Sequence, residues 1–183
     1  ETQMVAMAKQ ANINFCSIRL PHVYGAKSLL FHQVRQGQVF FPGTGDNLFA
    51  HLHVSDAAHA LIKVADSGRR GVYVVADNLS CTWNEVFEMT QSYYPKLRVV
   101  HVPKWLALMA TGAIELMLKF KKTPNRFSMG AVISWNLRLP VESDTLSNIL
   151  NLNLEYPTIA DGIPAVLDDC LCFTWCPSNL DNY

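Results

Sequence analysis

Residues 15–25 read Phe15-Cys16-Ser17-Ile18-Arg19-Leu20-Pro21-His22-Val23-Tyr24-Gly25. The run from Phe15 to Leu20 follows two helix-breaking asparagines, Asn12 and Asn14, and stops at a proline. That is the pattern of a buried strand in a parallel sheet. Pro21 lacks the ladder donor and ends the strand, so residues 21–25 read as a loop at its carboxyl end. Ligands of open α/β sheets bind at that end. Upstream, residues 1–11 read as a helix with Met4, Val5, Met7, Ala8 and Ala11 near one face and no cap ahead of them. A first strand preceded by a helix, with no strand before that helix, is expected of a sheet whose beginning lies in a longer protein.

Downstream, strands and helices alternate. A short helix is expected over 28–36, a strand at Val39-Phe40-Phe41, a turn-rich loop at Pro42–Asn47 and a strand at His51–Val54. Ser55 is placed to cap a helix running to Asp66, with Asp56 in its first turn and an apolar stripe of Ala57, Ala58, Leu61, Ile62 and Ala65. Gly71–Val75 reads as a strand. Thr82-Trp83-Asn84-Glu85 is a capping box opening a helix to about Tyr94. A strand over 97–102, an apolar helix over 104–120, a Pro/Gly-punctuated stretch over 123–142, a short helix over 144–151 and a last helix over 158–174 follow. The class is α/β: the later strands of a Rossmann-like parallel sheet plus a smaller mixed lobe. The expected division is 1–80, sheet strands and helices interleaved with lobe segments, and 81–183, mainly a substrate-binding or lid lobe.

Composition narrows the function. The 183 residues carry 15 Lys+Arg against 15 Asp+Glu, and half are hydrophobic. A balanced charge argues against nucleic acid as a partner, since phosphate binding needs a basic excess. Five cysteines and no secretory signal pattern in the opening residues fit free thiols in a reducing cytoplasm. Cys170, Cys172 and Cys176 have no histidine near them, and no metal is expected. His51 and His53 alternate onto one strand face and read as hydrogen-bonded histidines rather than a metal pair.

Several chemistries lack their motif. Gly43-x-Gly45 has Leu48 at the third glycine position and lies between strands, so it is not a dinucleotide fingerprint. There is no phosphate loop and no nucleophile elbow. No tyrosine has a lysine four residues on. No catalytic residue is therefore assigned within this chain.

Four blocks in order carry a resemblance. Arg19–Gly25, the loop Gly43-Thr44-Gly45-Asp46-Asn47 with His53-Val54-Ser55-Asp56-Ala57-Ala58, then Val72–Asp77, then Thr82-x-x-Glu85 resemble the extended short-chain dehydrogenase/reductases. The resemblance covers about residues 1–172. It implies a catalytic Tyr-x-x-x-Lys pair and a dinucleotide motif upstream, with Glu1 matching a glutamate that commonly follows that pair. It implies NAD or NADP as cofactor, with Leu20, Pro21 and Val23 meeting the nicotinamide carboxamide through their backbone. His22 and Phe49 match substrate-facing positions. Tyr24 is placed at the substrate as well, though it also reads as a packed loop anchor.

The subgroup follows from Phe49. Nucleotide-sugar epimerases and dehydratases usually carry an arginine there to clamp a diphosphate. His101–Trp105, Thr123–Ser128 and Leu154-Glu155-Tyr156-Pro157 instead resemble the 3β-hydroxysteroid dehydrogenase group, with Glu155 in place of a turn glycine. The expectation is an alcohol–ketone oxidoreductase for a small apolar, sterol-like substrate. The alternatives are a nucleotide-sugar epimerase or dehydratase and a non-catalytic ligand-binding relative. The helix over 105–120 is too short to span a bilayer. It reads as a buried lid, or as the lining of a greasy entrance, or as a helix resting on a membrane surface. With half a sheet elsewhere, the chain is expected to form homo-oligomers.

Overall fold

The computed structural model describes residues 1–121, 128–141 and 150–174. The opening helix α1 (Thr2–Gln10) buries none of its residues. It leads into β1 (Cys16–Arg19), which pairs in parallel with β6 (Gly71–Val74). Among the described residues β1 has no partner on its other edge. The strand is accordingly half-buried at Cys16–Ile18 and exposed at Arg19, not buried as its apolar run suggests. Glu1 takes a bidentate pair from the Arg19 guanidinium at 3.0 and 3.1 Å across this open side.

Residues 22–24 are a strand rather than a loop. β2 (His22–Tyr24) pairs in parallel with β5 (His51–His53), and the His22 N–H donates to the Ala50 carbonyl. Pro21 therefore bends one strand into another instead of ending the sheet. On the far side of β5, the Asp77 N–H donates to the His51 carbonyl. β5 thus sits between the continuation of β1 and the continuation of β6. This fork places His22, His51 and Asp77 side by side.

A further group of elements comprises α2 (Leu29–Arg35), β3 (Gln38–Pro42) and β8 (Arg98–Val102), the last two again parallel. β4 (Leu48–Phe49) and β7 (Cys81–Thr82) form the single antiparallel pair among the described residues. Helix α4 (Trp83–Tyr93) opens with the expected capping box. Thr82 Oγ1 accepts from the Glu85 N–H, and Glu85 Oε2 accepts from the Thr82 N–H at 2.6 Å. The main core gathers Tyr24, Phe31, Phe41, Trp83 and Val86 against Ile163 and Val166 of α7 (Ile159–Thr174). A smaller core joins Leu52 and Val75 to Ala57, Ala60 and Val64 of α3 (Val54–Ser67).

Three expectations about helices change. His53, not Ser55, caps α3, its Nδ1 accepting from the Ser55 N–H. The buried face of α3 is Asp56, Ala57, Ala60 and Val64, while Val54, Leu61 and Ile62 are exposed. The cause is Asp56. Its carboxylate turns inward to accept from the Glu155 and Tyr156 N–H groups at 2.8 and 3.0 Å. That pair of bonds holds the turn at Glu155 without a glycine.

Helix α5 (Lys104–Lys121) is not a buried lid: Trp105, Met109, Leu116 and Met117 are all at least 60% exposed. It packs on α6 (Met129–Trp135), where Glu115 accepts from the Met129 N–H. No described helix is long and apolar enough to cross a membrane. Most of the short helix expected over 144–151 lies outside the described residues, as do Cys176 and the side chain of Cys172. Cys16, Cys81 and Cys170 are free thiols.

Candidate functional site

The Gly43–Asn47 loop is a structural clamp. Gly43 and Gly45 hold φ of 124° and 82°, which side chains with a Cβ rarely adopt. A Cβ at Gly43 would run into the Asn136 amide, and one at Gly45 into the Asn84 amide. Asn84 Nδ2 donates to the Thr44 carbonyl and Asp46 Oδ1, and Asn47 Nδ2 donates to the Trp135 and Leu137 carbonyls. The loop ties α4 and α6 to β3.

The centre of the site is Trp83. Its indole lies 4.9 Å from the His22 ring, 5.2 Å from His51 and 5.5 Å from Phe49, centroid to centroid. It also stacks on Trp135 at 5.4 Å and 13°. Sequence reading takes Trp83 only as the first residue of a capped helix and does not single out Trp135. No local signal joins them, because α4 and α6 meet only in the tertiary fold.

His22 and His51 face each other through their Nδ1 atoms at 3.1 Å. One must donate and the other accept, so this contact holds one proton between two rings. Burial holds both imidazoles well below their ordinary range, and His22 opposes any charge on His51. His51 is wholly buried and His53 nearly so, as expected of packed strand histidines. Their Nε2 atoms, the Trp83 Nε1, the Tyr24 hydroxyl and both oxygens of Asp77 are buried without a hydrogen-bond partner. Burial pushes the Asp77 carboxyl up to about 7. Backbone groups of His51, Leu79 and Ile159 pull the other way. None of them reaches an Asp77 oxygen with hydrogen-bond geometry, so desolvation prevails.

The expected site residues separate into two groups. His22 and Phe49 share Trp83 and stand half-buried. Tyr24 is fully buried against Gly162 of α7, in the position of a packed anchor. Val23 packs on the smaller core. Leu20, exposed at the β1–β2 bend, makes no backbone hydrogen bond among the described residues through its N–H or C=O. A donor and an acceptor side by side fit a carboxamide.

The cavity beside this centre has a volume of about 170 Å³. Its lining includes Leu29, Gln33, Phe40, Val102 and Trp135. The α5 residues Ala107, Ala110 and Thr111 form one of its walls. His22 and Phe49, the expected substrate-facing residues, are not among the lining residues, being separated from the cavity by the Trp83–Trp135 stack. A larger groove of about 480 Å³ between α2, α4 and α7 shares no residue with either group.

No curated protein matches the chain. The chain aligns with solved structures over most of its own length and spans about half of theirs. A UDP-N-acetylglucosamine 4-epimerase from Methanobrevibacter ruminantium M1, solved with UDP-N-acetylmuramic acid, matches at 13% identity and a TM-score of 0.66. The match covers 95% of this chain and 51% of that one. MoeE5, solved with UDP-glucose and NAD, matches at 18% identity and 0.64, covering 94% and 53%. L-threonine dehydrogenase from Phytophthora infestans matches at 12% identity and 0.60, covering 90% and 51%. At these identities the likeness is one of fold. The sequence of residues 1–76, which holds β1, β2, β5 and α3, matches the model of the NAD dependent epimerase/dehydratase family.

Proposed function

We propose that this chain is part of an NAD-linked enzyme of the epimerase/dehydratase type that interconverts an alcohol and a ketone. The observation that carries the reading is the match of residues 1–76, which takes in the strand bend at Leu20–Pro21. A nicotinamide held here would supply hydride chemistry, the hydride exchanged at the carbinol carbon and the hydroxyl proton passing to a base. The chain's own contribution is to hold and orient. The Leu20 N–H and C=O take a carboxamide, and the half-buried His22 ring, braced on Trp83 and His51, faces the substrate.

For the substrate, the relatives support a nucleotide sugar, since several were solved with or named for one. The residues of this chain favour a second reading, a small apolar alcohol or ketone. Phe49 packs on Trp83 where a diphosphate clamp would need a cation. Turnover by the full natural polypeptide, followed through reduced nicotinamide with NAD or NADP, tests both. An apolar secondary alcohol should be oxidised and UDP-glucose ignored. The opposite result overturns the apolar reading and keeps the class, and no turnover of either overturns the class.

A further inference from the structure

The geometry points to the cavity between α5, α6 and the β3–β8 pair as a binding site for an apolar molecule carrying one hydrogen-bond acceptor, a ketone or ester carbonyl, which Gln33 reads. It goes beyond the reading above and does not rest on it, because the cavity is separated from His22 and Phe49 by the Trp83–Trp135 stack.

The polar side chains of the wall decide this. Three line the cavity: Gln33, Thr111 and Ser128. Thr111 Oγ1 donates back to the Ala107 carbonyl at 2.8 Å, the usual self-bonding of a helical threonine. Ser128 caps α6, its Oγ accepting from the Ala131 N–H at 3.1 Å. Gln33 is only 8% exposed. Its Oε1 accepts from the Phe40 N–H at 2.8 Å. A backbone N–H can only donate, so this bond fixes which end of the amide is oxygen. The Nε2 end is thereby left with two N–H donors, and no described residue accepts from it. Gln33 lines the cavity and its Nε2 is not sealed within the protein, so an acceptor brought in by a ligand can reach it.

The rest of the wall says what the partner's body is. Leu29, Phe40, Val102, Val132 and Trp135 are apolar, and Ala107 with Ala131 leave the space open where two helices face each other. Among the described residues no Lys, Arg, His, Asp or Glu lines it. A phosphate there would be desolvated without a counter-charge. An apolar ligand with one carbonyl buries its body against these walls and gives its oxygen to Gln33.

The test uses two probes of nearly equal shape, 2-acetylnaphthalene and 2-ethylnaphthalene, titrated into the protein with calorimetry and tryptophan emission as readouts. Only the first has an acceptor. It should bind on the order of 5-fold more tightly, the value of one hydrogen bond. Gln33→Met should bring the two affinities together. Ala107→Phe, which leaves the Gln33–Phe40 bond alone, should abolish both. Equal affinity of the two probes for the unaltered protein overturns the proposal, as does binding that is not saturable or that survives Ala107→Phe. The binding needs no nicotinamide. Selective binding without any NAD-linked turnover would therefore sink the proposed function alone.

Discussion

Replacing Asp77 by asparagine should stabilise the protein, and increasingly so as pH rises. Asp77 is 2% exposed, and neither of its oxygens has a hydrogen-bond partner. An acid that ionises at 3.8 in the unfolded chain is held at about 7 in the folded one. Between those values the folded chain binds more protons than the unfolded chain, so stability falls as pH rises, and the full cost is present above about 7. At pH 8 that cost is about 4 kcal/mol, and at about pH 5 roughly 1.5 kcal/mol. The carboxamide of the variant keeps the shape of the side chain and carries no charge. The advantage of Asp77→Asn over the unaltered protein should therefore grow by about 2.5 kcal/mol between about pH 5 and about pH 8. Urea unfolding read by tryptophan emission at several pH values measures it. An advantage that does not change with pH, or a loss at the alkaline end, would refute the argument and show that Asp77 is ionised and well solvated in the fold.

The neighbouring histidines work in the other direction. His22, His51 and His53 are held below their ordinary range by burial, so the unfolded chain takes up protons near 6.5 that the folded chain refuses. Stability should fall as pH drops below that value, and His51→Phe should flatten the slope in the same urea series. Thr82→Ala removes one half of the capping box and should cost about 1 kcal/mol at neutral pH, with Thr82→Ser restoring most of it. A methyl group at Gly162 meets the Tyr24 hydroxyl, so Gly162→Ala should cost about 1–3 kcal/mol, and Tyr24→Phe in that background should recover part of the loss by thermal unfolding. Met4, Met7 and Ile13, together with the unpaired edge of β1, leave apolar surface open among the described residues. Light scattering across a dilution series should show association, and a dilution-insensitive monomer would contradict that expectation.

What the sequence made legible was local. The capping box at Thr82 and Glu85 involves residues three apart, and it forms as read. The strands at β1, β3, β6 and β8 follow from short β-prone runs bounded by Pro, Gly and Asn. The bend at Pro21 was legible as an interruption. That the chain resumes as β2 was not, because His22–Tyr24 becomes a strand by lying beside β5, 29 residues away. Trp83 and Gln33 escaped notice for the same reason. Each looks like an ordinary helical residue until α4 meets α6 and α2 meets β3. His51 was seen, but its role needs the His22 ring at 3.1 Å, which no spacing encodes.

Helix α3 shows where periodicity alone stops. Ala57, Ala58, Leu61, Ile62 and Ala65 form a clear apolar stripe, yet of these the fold buries only Ala57, together with Asp56, Ala60 and Val64, and turns the other four outward. The deciding interaction is polar and distant: two backbone donors at Glu155 and Tyr156 need an acceptor, and the Asp56 carboxylate must point inward to supply it. Leaving those two donors unmet costs more than exposing a leucine and an isoleucine that keep part of their surface covered. In α3 the hydrophobic pattern correctly reports that a face is apolar, but hydrogen bonds from a distant part of the chain determine which face the core receives.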